Sequence, residues 1–172
     1  MDEVILVDKE DNFLGTMEKL EAHQKGLLHR AFSIYLINEK GDFLLQRRAQ
    51  DKYHSAGLWT NTCCSHPQPE ETTTKAAIRR LNEEMGINST PLTPLFHFVY
   101  KADFGNGLTE HELDHVFIGT FNGEPLPDPN EVMEWKYIPA NDLLIDVKEN
   151  PQNYTEWFKL SYETVLIHTS NQ

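Results

Sequence analysis

Residues Glu71–Ile87 read ETTTKAAIRRLNEEMGI. Ala77, Ile78, Leu81 and Met85 recur at helical spacing, and Gly86 stands where a left-handed glycine ends a helix, so the pattern predicts a helix over Thr72–Met85. Its last turn carries Glu83 and Glu84 side by side. Carboxylates there oppose the helix macrodipole, at about 0.3–1 kcal/mol each when exposed. Two explanations stand at this point. Arg79 and Arg80 lie four residues before the two acids and can pair with them on a solvated face. Alternatively, two acids on one turn can hold a hard cation such as Mg²⁺.

Working outward, Glu3–Val7 and Phe13–Met17 read as strands joined by the polar turn Asp8–Asn12, and Glu18–Gln24 as one or two helical turns stopped by Gly26. Ala31–Ile37 and Phe43–Arg47 form a hairpin about Lys40-Gly41-Asp42. Gly57–Cys64 is extended or looped. Beyond the helix, Leu95–Ala102 and Glu112–Phe121 are strands joined through Gly105-Asn106-Gly107, and Trp135–Ile138 is a short strand. Asn141 can cap a helix over Asp142–Glu149. After Pro151 a covering helix is expected over Tyr154–His168, with Tyr154, Trp157, Phe158, Ser161, Tyr162, Val165 and Leu166 on one stripe. Strands and helices mix without strict βαβ alternation, so one α/β or α+β domain is expected.

The chain has 172 residues, suited to one domain, and a chain this long buries roughly 70% of the surface it exposes unfolded. An apolar share of 39% and a charged share of 24% exclude a disordered or collagen-like chain. No apolar run approaches the ~18 residues of a membrane span, and no basic segment precedes an apolar one at Met1. The only cysteines, Cys63 and Cys64, are adjacent and point apart in extended backbone, so free thiols in a reduced, cytoplasmic compartment are expected. Twenty-seven acids against fifteen bases leave a net charge of −12, which argues against a nucleic-acid binder. A small phosphorylated substrate would need a local basic cluster, a metal ion, or both.

Three further groupings bear chemistry. In Thr60–Pro67, extended backbone turns Cys64 and His66 to one side and Cys63 to the other. Both cysteines can be small buried hydrophobes, or Cys64 can be a thiol placed for proton transfer beside a metal-bound His66. Glu110 and Glu112 share one face of a strand, with His111, Leu113, His115 and Phe117 on the other; alone, this reads as a solvated edge. His23 and His29 flank Gly26 at a spacing suited to a pinned loop. Together, three histidines and two glutamates could make one site for a borderline metal such as Zn²⁺ or Mn²⁺.

The order Glu71, seven residues, Arg79-Arg80-Leu81-Asn82-Glu83-Glu84-Met85-Gly86-Ile87 resembles the Nudix box, with Ser65 where the box opens with glycine and Arg80 where it has an acid. Leu28–Ser33, Gln46–Ala49, Trp59–Pro67 and Glu110–Phe117 follow in the order of the type 1 isopentenyl-diphosphate isomerase family, a Nudix-superfamily group that the chain resembles over nearly its whole length. The resemblance implies a single domain over residues 1–172, with a core about 29–168 and N-terminal strands that contribute to the site. The implied fold is an α/β/α sandwich around a mixed sheet, with the signature helix near 72–85.

The same resemblance implies reversible isomerisation of isopentenyl and dimethylallyl diphosphate, with Cys64, Glu112, Tyr100 and Trp157 as catalytic residues. It assigns His23, His29, His66, Glu110 and Glu112 to a divalent metal (Mn²⁺, Zn²⁺ or Mg²⁺), and Glu84 to a Mg²⁺ shared with the substrate. Lys19, Arg48, Lys52 and Ser65 match positions that hold the diphosphate. A Nudix hydrolase is the alternative, disfavoured by Arg80, and a non-catalytic ligand-binding module is a third. The implied partner is a small diphosphate, with no nucleic acid and no membrane. Oligomeric state is not legible, and a monomer is compatible.

Overall fold

In the computed structural model, which describes residues 2–170, strands β1 (Glu3–Val7) and β2 (Phe13–Glu18) open the chain. Met1, Asn171 and Gln172, which the expected 1–172 domain includes, lie outside the described residues. Helix α1 (Lys19–Lys25) is capped by the Glu18 carboxylate, which accepts from the backbone N–H groups of Leu20 and Glu21. Gly26 ends it at φ 65° and turns the chain into β3 (His29–Ile37). Then follow β4 (Phe43–Arg48), β5 (Trp59–Thr60), β6 (Cys63–Ser65), α2 (Thr73–Met85), β7 (Thr93–Asp103), β8 (Thr109–Thr120), β9 (Val132–Ile138), α3 (Ala140–Glu149) and α4 (Glu156–Ser170).

The strands form one mixed sheet organised around β3. β8 runs parallel along one edge of β3, from His29↔Glu112 to Ile37↔Thr120. The opposite edge is shared in succession by β1 at His29, β6 at Phe32–Ile34 and β4 at Leu36–Ile37, all antiparallel. Alternation along β3 then separates two cores. Phe32, Ile34 and Leu36 pack with Cys63, Phe117 and the inner side of α2, whereas Tyr35 packs with Val116, Ile118 and residues of α3 and α4. Helices on both faces give the expected α/β/α sandwich.

Several expectations need adjustment. Ile78 is 47% exposed, and the buried side of α2 is Ala76, Ala77, Leu81, Glu84 and Met85. A carboxylate therefore occupies the apolar stripe. Asn141 is not a cap: Pro139 takes that position at φ −58° with no side-chain bond, so the helix begins at Ala140 and Asn141 falls inside its first turn. The strand expected from Glu112 begins at Thr109, because Glu110 already pairs with Ala102 of β7. The last helix begins at Glu156, and Tyr154 precedes it.

Gly86 ends α2 with two reverse bonds, from its own N–H to Asn82 and from Ile87 to Leu81. Its φ is 66°, and a Cβ there would lie 2.6 Å from the Leu126 carbonyl oxygen. That carbonyl belongs to a segment that satisfies the helix end, with Leu126 N–H donating to Met85 and Asp128 N–H to Glu84. Gly86→Ala should therefore cost upward of about 2 kcal/mol of stability, read by denaturant unfolding, since left-handed backbone alone costs roughly 1–2 kcal/mol. Unchanged stability would mean that this helix end relaxes freely.

Candidate active site

Period-two alternation on β8 turns Glu110, Glu112 and Asp114 to the face that continues under α4 as Val116 and Ile118. β8 lies between β3 and β7, so these acids are interior: Glu110 is 3% exposed and Glu112 5%. The solvated-edge explanation therefore fails. Buried carboxylates need partners, because an uncompensated one costs several kcal/mol.

The partners are imidazoles from four separate segments. His23 on α1 and His54 in the β4–β5 loop place Nε2 3.7 and 3.1 Å from Glu110 Oε2. His29, the first residue of β3, and His66, just past β6, place Nε2 3.2 and 2.6 Å from Glu112 Oε2. The Tyr100 hydroxyl on β7 contacts both carboxylates. His23, His29, His66 and Glu112 form one group of convergent donor atoms, and His23, His54 and Glu110 form a second that shares His23.

The hydrogen bonds fix what these rings can do. His23 Nδ1–H donates to the Lys19 carbonyl at 2.7 Å, and His29 Nδ1–H to the Leu27 carbonyl at 2.9 Å. In that tautomer an uncharged ring turns its Nε2 lone pair inward, and His23 Nε2 is buried with no partner within hydrogen-bond distance. Lone pairs of nitrogen facing carboxylate oxygen require a proton or a cation between them. Burial pushes His66 down to about 4, keeping it neutral at pH 7. Burial also lowers His29, but its hydrogen bond and charge interaction with Glu112 outweigh this and raise it. Burial would raise Glu112, yet its interactions with His66 and His29, including a hydrogen bond from each ring, hold it well below the usual carboxylate range. Of the five expected ligands, His23, His29, His66 and Glu112 converge as three imidazoles and a carboxylate, a donor set suited to a divalent metal of borderline softness, while Glu110 stands in the second group with His54.

Beside this cluster lies a cavity of about 270 Å³. Cys64, Ser65 and His66 reach it from β6, and Arg48, Lys52 and Lys19 line its rim, as does Glu84. His23, His29 and Tyr100 stand behind Glu110 and Glu112 rather than on the cavity wall. Cys63 faces the α2 core, where its thiol donates to Glu84 at 3.3 Å, so the two cysteines do point to opposite faces. Burial pushes the Cys64 thiol up, and it carries its proton at neutral pH. Lys19 is pushed down by burial. Lys52 is paired with Glu131, and Arg80 spans Glu83 at 2.6 Å and Glu84 at 3.1 Å.

Trp157 lies on the buried stripe of α4 but lines the cavity, unlike Phe158, Tyr162 and Val165, which enter the core cluster. Its turn is anchored by the Tyr35 hydroxyl, which donates to Ser161 Oγ at 2.6 Å, while Ser161 Oγ donates to the Trp157 carbonyl at 2.8 Å. The Arg48 guanidinium lies 5.3 Å from the centre of its ring. Asp114 and His54 line the cavity without being among the expected site residues. Asp114 continues the alternation of Glu110 and Glu112, so its signal was available; burial and Glu112 hold it well above the usual range, and Ser33 Oγ donates to it at 2.8 Å. His54 carries no local signal.

Comparison with known proteins agrees with this architecture. The NUDIX domain family matches residues 27–158. The chain is 48% identical to "Isopentenyl-diphosphate Delta-isomerase 2" of Aromatoleum aromaticum, covering 96% of this chain and 87% of that protein. It is 49% identical to the protein of the same name from Photorhabdus laumondii, covering 96% of both chains. The crystal structure of a MutT NUDIX hydrolase from Burkholderia pseudomallei superposes with a TM-score of 0.63 at 23% identity, over 79% of this chain and 96% of that one, a likeness of fold.

The donor geometry carries its own test. His23→Ala and His66→Ala should each lower the divalent metal retained by the purified chain, measured by elemental analysis after dialysis. Full metal content in both variants would show that this cluster is held together by protons alone.

Proposed function

This chain belongs to the NUDIX family, among its isopentenyl-diphosphate Delta-isomerases, and on that premise we propose that Cys64 and Glu112 are the proton-transfer pair that interconverts isopentenyl and dimethylallyl diphosphate. The observation that carries this reading is the placement of the two groups. They open onto one cavity from β6 and β8, the strands on opposite edges of β3.

Moving the double bond requires a proton added at the terminal alkene carbon, which leaves a tertiary carbocation, and another removed from the methylene on the far side of that cationic carbon. One group of the pair delivers the proton, the other takes the second, and the roles exchange in the reverse direction. Tyr100 orients Glu112 through its hydroxyl. Trp157 presents its indole face to the cation, an attraction worth about 2 kcal/mol in a dry site that cannot collapse into a covalent bond. Its burial also keeps water from quenching the cation.

Lys19, Arg48, Lys52 and Ser65 hold the diphosphate and so place the alkene between acid and base. His23, His29, His66, Glu110 and Glu112 would hold one divalent metal, for which Mn²⁺, Zn²⁺ and Mg²⁺ all suit the donors, and Glu84 would hold a Mg²⁺ that comes with the diphosphate. When bound, such ions would supply positive charge beside Glu112 and the diphosphate. The residues 1–172 act as one domain, since α1 supplies Lys19 and His23 from outside the matched 27–158 segment. The free cysteines suit the cytoplasm. No helix among the described residues is long and apolar enough to cross a membrane. Hydrolysis is disfavoured by Arg80, whose guanidinium occupies the position of a box acid and neutralises Glu83 and Glu84.

Incubation with isopentenyl diphosphate and Mg²⁺ should yield the allylic isomer without phosphate release; phosphate release would favour hydrolysis. Cys64→Ala should abolish isomerisation, whereas Cys63→Ala should retain it and lose about 1 kcal/mol of stability. Equal loss of turnover in both would assign the cysteines to packing. Trp157→Phe should leave the melting temperature near native and slow kcat, about tenfold for each ~1.4 kcal/mol of cation stabilisation removed. A lowered melting temperature with native kcat would return Trp157 to the core.

A further inference from the structure

The β4–β5 loop carries a histidine that the metal-ligand set does not include. His54 is 9% exposed and places Nε2 3.1 Å from Glu110 Oε2. Its Nδ1 lies 3.2 Å from Ser55 Oγ. A hydroxyl can donate to Nδ1, which leaves the single ring proton on Nε2, directed at the carboxylate. Glu110 is thereby gripped twice, by Tyr100 on one oxygen and His54 on the other.

The ring is held with equal care. Its face stacks on Phe104, from the β7–β8 turn, with centroids 4.6 Å apart and planes 5° from parallel. It stands at 90° to Trp157, with centroids 6.1 Å apart. Ser55, the next residue, sits at φ 54°, a left-handed conformation that a non-glycine residue adopts only where its surroundings enforce it. The carbonyl of His54 accepts from the Arg48 guanidinium at 3.4 Å, and that guanidinium lies over Trp157. One loop residue therefore touches the carboxylate cluster, the indole and the basic rim.

We propose that His54 is a positioning residue for this site: its Nε2–H fixes Glu110 for the divalent cation, and its ring, set between Phe104 and Trp157, ties that carboxylate to the indole over the cavity. The inference rests on Glu110 being a metal ligand. Partners of this kind orient ligating carboxylates, and their loss commonly weakens metal binding by about 10- to 100-fold.

The test uses the full chain stripped with a chelator and titrated with Mn²⁺ alone, the free ion being counted by electron paramagnetic resonance. His54→Phe keeps a ring between Phe104 and Trp157 but has no donor. His54→Gln keeps a donor without the ring. His54→Phe should bind Mn²⁺ about 10- to 100-fold more weakly, with a near-native melting temperature, and His54→Gln should stay close to native affinity. Native affinity in His54→Phe, or equal loss in both variants, overturns the proposal. Glu110→Gln separates the two levels of argument. If it loses affinity while His54→Phe does not, the role of His54 fails alone; if it binds as the native chain does, the ligand assignment fails and the proposal with it.

Discussion

Two carboxylates two residues apart on an interior strand constrain the rest of this molecule. Glu110 and Glu112 are both nearly inaccessible and share one face of β8. Left unpaired, each would cost several kcal/mol, and their mutual repulsion would add to that. Four imidazoles and a phenol converge on them from α1, β3, β7, the β4–β5 loop and the end of β6. Segments with little else in common are drawn to one point. The N-terminal hairpin shows this well: its contribution to a core is the small cluster of Ile5 and Val7 with Leu113, yet it delivers His23 through α1.

Alternation on the sheet then separates packing from chemistry at one-residue resolution. Ser33 pairs with Cys64 and Ile34 with Cys63, so neighbouring cysteines inherit opposite environments, a cavity and a hydrophobic core. The same logic places Glu84. It is three residues from Leu81 on the buried side of α2, with Arg80 and the Cys63 thiol as its partners. A helix that keeps a carboxylate on its apolar stripe gives up burial energy there, which is intelligible if the oxygen has another use at the cavity edge.

The helix over 72–85, the hairpin at Gly41 and the strand pairs were legible because each has a local signal: a 3.6 or 2.0 periodicity and a glycine at its end. The acids of β8 were legible by the same alternation, although it was not followed as far as Asp114. Local rules misled where tertiary structure overrode them. Asn141 had the chemistry of a cap, but Pro139 fixed the turn first. Ile78 fitted the stripe by spacing, yet it is exposed, and the short Ala76 and Ala77 are what α2 packs into the core with Cys63 of β6. His54 lies in a loop whose sequence, Lys52-Tyr53-His54-Ser55, has no periodicity, and Glu110 of β8, Phe104 of the β7–β8 turn and Trp157 of α4 reach it only through the tertiary fold. Family resemblance supplied the remaining residues of the site, which spacing alone left open.

The electrostatics of the cavity explain why basic residues alone do not suffice for a diphosphate. Eight acids line it against five lysines and arginines, in a chain of net charge −12. Several of those bases are already matched: Lys52 by Glu131, Arg80 by Glu83 and Glu84, and Arg79 by Glu83. A ligand bearing two phosphates would enter a region whose positive charge is largely engaged. At an effective dielectric of about 20, one like-charge pair at 4 Å already costs about 4 kcal/mol. Divalent cations would resolve that conflict, since each would add two positive charges next to acids that otherwise repel such a ligand. Under the proposed function, the acids that line the cavity would therefore couple binding of the diphosphate to binding of the ions.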